Sequence, residues 1–197
     1  MYSSKRPLGF AVSIAALLVS GGVLAQNAGV EVSVLRGTLE NRPFTAVFPQ
    51  TFEPIDDGSD VSVLSLQHRA APLRCDVLVA DGQAQGWTAE RALADFDPVA
   101  VEGTWASQFP GFTVTASSLV RFQSGSALYY EGESNESPLG YPATIAHAEV
   151  ADGGRTYIYE CIMSQAIAAD GLATVAFLMA NFSTRSDGEC CISPPRP

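Results

Sequence analysis

The stretch "ATIAHAEVADGGRTYIYECIM", residues 143–163, carries the reading of the fold. Its two halves, ATIAHAEV and RTYIYECIM, are rich in β-branched and aromatic residues, and Asp152-Gly153-Gly154 lies between them. Such a turn triplet flanked by strand formers predicts a β-hairpin. On the first half Ile145, His147 and Glu149 fall on one face, because successive strand side chains alternate.

Working outward, the upstream ALYYEGE (127–133) reads as a third strand, joined by the QSGS turn to FTVTASSLVRF (112–122). In that fourth strand Phe112, Val114, Ala116, Val120 and Phe122 fall on one face, a period of two that predicts a half-buried strand. Further upstream FTAVF (44–48), DVSVLSLQH (60–68) and LRCDVLVAD (73–81) predict three more strands. Between the two groups, Ala89, Leu93 and Phe96 recur at helical spacing. Asp97-Pro98 then supplies an N-cap and a first-turn proline for a second helical piece running to Phe109. Downstream, Leu172, Val175, Met179 and Phe182 form the apolar stripe of a closing helix, predicted to open at Asp170 as N-cap and to run to Arg185. Strands, helix, four strands in hairpins and a final helix describe an α+β domain, with helices packed on an antiparallel β-sheet.

The N-terminus has the form of an export signal. Lys5 and Arg6 precede an apolar run from Leu8 to Leu24, and Val23-Leu24-Ala25 supplies small residues for cleavage. The expected organisation is a signal peptide at 1–25, a lead-in at 26–39, one domain at 40–186 and a Cys/Pro-rich tail at 187–197. Gly21, Gly22 and the serines interrupt the run too often for a lasting membrane span, which wants about 20 predominantly apolar residues. Removing Lys5 and Arg6 with the leader takes the formal net charge from −10 to −12. That charge repels nucleic acid and anionic lipid, so neither is an expected partner.

FTAVFPQTF (44–52), ALYYEGE (127–133), GGRTYIYECIMSQ (153–165) and VAFLMANFSTR (175–185) together resemble the PsbP-like (Mog/PsbP-like) family. It includes photosystem II extrinsic proteins, a Ran-binding protein and small exported bacterial proteins. The resemblance covers about residues 40 to 185 and implies an α/β/α sandwich. It does not transfer a partner. The acidic chain, with no lysine after the leader, departs from the basic docking surfaces of the photosynthetic members, and export excludes a nuclear role.

Chemistry-bearing residues are few. G-x-S-x-G, the P-loop and H-E-x-x-H are absent from the sequence. His147, with Glu149 two residues on, is the candidate general base, and His68 at a strand end is the second; for both, a hydrogen-bonded strand histidine is the favoured reading. Asp56, Asp57 and Asp60, like Glu131, Glu133 and Glu136, lack calcium-loop spacing and read as solvated turns. No catalytic residue, metal or cofactor is assigned. Tyr129, Tyr130 and Tyr141 are the candidate partner surface, with cross-strand packing as the competing reading. Cys75, Cys161, Cys190 and Cys191 predict disulfides in an exported chain. A tail tether, joining Cys190 and Cys191 to the two strand cysteines, is preferred to a Cys75–Cys161 cross-strand bond with the tail pair reduced or linked to another chain. A bond between Cys190 and Cys191 themselves would strain the joining peptide. The functional expectation is an exported, non-catalytic accessory domain of the bacterial periplasm that binds a protein of the cell envelope. Alternatives are a small-ligand carrier with a pocket between helix and sheet, and a hydrolase with a dispersed site.

Overall fold

A computed structural model describes residues 31–189, apart from 38, 40, 41, 57, 83 and 84. The predicted hairpin is present. β8 (Ala143–Asp152) pairs with β9 (Arg155–Ser164) from Ala143↔Ser164 to Asp152↔Arg155. Gly153 and Gly154 both take positive φ, 58° and 78°. Two left-handed residues in a two-residue loop match the right-handed twist of the strands they join, and only glycine adopts both without strain.

Around this hairpin a seven-stranded antiparallel sheet forms in the order β3-β4-β5-β9-β8-β7-β6. The added strands are β3 (Phe52–Pro54), β4 (Ser62–His68), β5 (Leu73–Asp81), β6 (Thr113–Phe122) and β7 (Gly125–Ser134). A second, three-stranded sheet has the order β1-β2-β10, with β1 at Val32–Arg36, β2 at Thr45–Pro49 and β10 at Phe182–Ser183. The helices are α1 (Ala89–Ala94), α2 (Pro98–Trp105) and α3 (Ala168–Ala180).

Each face of the large sheet has its own core. On one, Val175, Leu178 and Met179 of α3 and Phe44, Ala46 and Phe48 of the small sheet's side pack with Val77, Cys161, Tyr159 and Met163. On the other, Trp105, Phe109 and Phe112 pack on Tyr130, Ala143 and Ile145. This is the helix–sheet–helix layering that the resemblance implies. α2 begins as predicted: Asp97 Oδ1 accepts from the Val99 and Ala100 N–H groups at 3.0 and 3.3 Å, with Pro98 in the first turn.

Several boundaries differ. α3 opens at Ala168, not Asp170, after a 3-10 turn at Gln165–Ile167 capped by Ser164, and it ends at Ala180 rather than Arg185. The early stop has a packing cause. Phe182 is fully buried edge-on to Phe122 and Tyr159, with centroids at 5.2 and 5.3 Å, and the chain leaves the helix to add β10 beside β2. The lead-in assigned to 26–39 contains β1, which pairs with β2 from Val32↔Pro49 to Arg36↔Thr45. The start of the tail lies on the body: the Gly188 N–H donates to Thr45 Oγ1 at 3.2 Å, and Gln123 Nε2 donates to the Glu189 carbonyl at 2.6 Å.

β6 departs furthest from expectation. Its register jumps between Val114 (opposite Gly132) and Ala116 (opposite Glu131), a bulge that leaves Thr115 extra. One inserted residue reverses every side chain beyond it. Phe112 and Val114 therefore enter the α2-side core, whereas Val120 and Phe122 enter the α3-side core. The single apolar face read from the sequence is split between two layers.

Candidate functional site

The register of four strands builds one polar row across the sheet. Asp76 on β5 lies opposite Glu160 on β9, Glu160 opposite His147 on β8, and His147 opposite Tyr130 on β7. All four side chains share the α2-side face. His147 is 8% exposed and Tyr130 7%. The two rings stack at 4.5 Å with planes 17° apart, and Trp105 of α2 stands edge-on to the imidazole at 6.4 Å. The Trp105 indole N–H donates to the Tyr130 hydroxyl at 2.9 Å. Burial pushes the Tyr130 phenol up to about 12, against the smaller opposing effect of that bond.

The carboxylate that faces His147 is Glu160, with Nδ1 at 3.5 Å from Oε2, rather than the Glu149 singled out from the sequence. Nδ1 makes no hydrogen bond. Next along the row Arg74 clasps Asp76, its Nε at 3.1 and 3.0 Å from the two carboxylate oxygens. Glu160 lies thirteen residues from His147 in sequence and faces it through the hairpin register, which the two-residue Gly153-Gly154 turn sets; that turn is the signal from which the pairing follows. The arrangement holds a base and an acid, but Tyr130 and Trp105 cover the imidazole.

His68 has a structural role. Its Nδ1 accepts the Ala70 and Ala71 N–H groups at 3.2 and 2.9 Å, closing the turn after β4, and its ring meets Phe52 edge-on at 5.0 Å. Asp56 accepts the Gly58 N–H at 3.0 Å within an exposed turn; Asp57 lies outside the described residues. Among the described residues no group of three His, Cys, Asp or Glu side chains is placed to hold a metal.

The tyrosines do not form one surface. Tyr130 is buried as described. Tyr129 points to the opposite face, half-buried, its hydroxyl donating to Glu131 Oε2 at 2.9 Å. Tyr141 is half-buried in the loop before β8. A patch that includes Tyr130 is therefore corrected: alternation on β7 separates it from Tyr129, and Trp105 covers it.

The tail tether is also corrected. Cys75 and Cys161 are bonded to each other, opposite one another on β5 and β9 with Cα atoms 4.0 Å apart. Neither sulfur is left for the tail, and Cys190 and Cys191 lie outside the described residues. A ligand pocket between α3 and the sheet is likewise not what that interface holds, since Val175, Leu178 and Met179 fill it against the sheet core. Open surface clefts lie elsewhere, one of about 490 Å³ lined by Gln123, Asp152, Arg185 and Glu189 among others.

No protein-family model and no curated protein matches this chain by sequence. Solved structures do match its fold. The Ran-binding protein Mog1p of Saccharomyces cerevisiae is 11% identical, covering 78% of this chain and 96% of its own at a TM-score of 0.52. LpqN of Mycobacterium tuberculosis, involved in cell envelope biogenesis, is 11% identical over 78% of this chain and 90% of its own, with a TM-score of 0.53. Cyanobacterial PsbP from Synechocystis is 12% identical over 82% and 99%, with a TM-score of 0.48. At these identities it is the fold that is shared, and the chain has the Mog/PsbP-like α+β fold.

Proposed function

We propose that this chain is exported to the cell envelope and acts there as a non-catalytic accessory domain that binds another protein. The observation that carries the reading is the closed state of its only imidazole–carboxylate pair among the described residues. His147 faces Glu160 yet lies under Tyr130 and Trp105, so the pair serves packing rather than substrate. The leader-like residues 1–25 support export, and so does a disulfide in the core, since such bonds persist in oxidising compartments. No helix among the described residues is long and apolar enough to cross a membrane. LpqN, which shares the fold, is described as involved in envelope biogenesis.

The test is in-cell crosslinking of an affinity-tagged chain in its native host, followed by fractionation. The expected result is a chain starting at Gln26 in the envelope or periplasmic fraction, oxidised at Cys75 and Cys161, with one discrete crosslinked protein. Retention in the cytoplasm with reduced cysteines, or no crosslinked species, overturns it.

A further inference from the structure

β6 ends the large sheet, and its outer edge between Thr115 and Arg121 has no strand beside it among the described residues. Thr115, Ala116, Ser117, Ser118, Leu119 and Arg121 are all exposed. Natural edges are blunted by lysine, proline, an inward charge or a bulge; beyond the bulge at Thr115 this stretch carries none of these, only Arg121 at its far end. At the near end the edge is already engaged by an acid: the outward Val114 N–H donates to Glu102 Oε1 at 3.0 Å. Two further carboxylates lie one strand in. Glu133 is opposite Thr113 and Glu131 opposite Ala116, so each shares a face with a small residue of the edge strand. Glu133, Thr113 and Ala116 are exposed, and Glu131 is half-buried with its Oε2 accepting from the Tyr129 hydroxyl at 2.9 Å, so Glu133 is the more open of the two carboxylates to a cation arriving over this end.

We propose that the β6 edge takes an extended, basic segment of a partner protein by strand addition, its arginines or lysines meeting Glu131 and Glu133. Main-chain hydrogen bonds supply the affinity and the carboxylates the choice of partner. The cations lie towards the Thr113–Ala116 end, and a neutral or acidic residue lies beside Arg121. This inference rests on the accessory, protein-binding reading and names its surface.

The probe is a seven-residue peptide alternating threonine with valine, with arginine at the first and third positions. Its controls replace both arginines by glutamate, or methylate alternate amide nitrogens in each register. Expected are binding by fluorescence anisotropy for the arginine peptide alone, and slowed hydrogen exchange of the 116–121 amides. The double variant Glu131→Gln, Glu133→Gln should weaken binding about five-fold, as for two exposed charge pairs. Ser118→Lys, a surface change that leaves the melting temperature in place, should abolish it. Absence of binding, equal binding of the glutamate peptide, or binding without β6 protection overturns the inference. So does β6 protection that rises with protein concentration alone, which assigns the edge to a second copy. If the crosslinked partner of wild type survives Ser118→Lys, the edge inference falls while the accessory reading stands; if wild type has no partner, the accessory reading itself fails.

Discussion

Cys75 and Cys161 sit opposite one another on adjacent central strands, 1% and 0% exposed, and their bond closes the chain across 86 residues of sequence. The position places the crosslink inside the core that α3 covers. Non-reducing peptide mapping should recover one Cys75–Cys161 crosslink, with Cys190 and Cys191 bonded to neither. Chain entropy for a loop of this length corresponds to about 4.6 kcal/mol, so Cys75→Ala with Cys161→Ala should lower stability by about that much in denaturant titration.

Burial of Tyr130 beneath α2 makes that side of the sheet alkali-sensitive. Tyr130 is raised from its ordinary 10 to about 12, so the unfolded chain loses the phenolic proton first. Its contribution is complete below pH 10 and fades as pH rises from 10 to 12, at about 1.4 kcal/mol per pH unit. Equilibrium unfolding across that window should show a smaller slope for Tyr130→Phe. At neutral pH the same variant should cost about 1 kcal/mol, because the buried indole N–H loses its acceptor.

Gly132 and Gly171 should respond unequally to alanine. A Cβ on Gly132 would come within 2.3 Å of the Phe112 ring and 2.5 Å of the Thr113 carbonyl, the latter backbone at the approach to the bulge. A Cβ on Gly171 would meet Met163 Sδ at 2.5 Å, in a flexible side chain that can turn aside. Gly132→Ala should cost about 2 to 3 kcal/mol. Gly171→Ala should cost less than half as much, since alanine also improves the helix. Paired thermal melts measure the difference.

His147→Phe should retain partner crosslinking and change stability by under about 1 kcal/mol. The new ring keeps the stack on Tyr130 and removes an Nδ1 that has no hydrogen bond. Loss of biological role with an unchanged melting temperature would transfer the lead to catalysis by His147 and Glu160.

The sequence by itself determined the α+β class, the β8–β9 hairpin, the Asp97-Pro98 helix start and the core-facing Val175 and Met179 of α3. Each is written in a local signal, a turn triplet, a cap or a periodicity within one segment. It did not determine where β6 changes face, because nothing in "TVTASS" distinguishes Thr115 as the extra residue; only the pairing of Val114 with Gly132 and of Ala116 with Glu131 does. Nor did it show that Phe182 leaves the helix to be buried against Phe122 and Tyr159. The choice of Cys161 as the partner of Cys75 belongs to the same class. These depend on which strands lie side by side and in what register, and that is fixed by the burial of two cores at once rather than by any single stretch of chain.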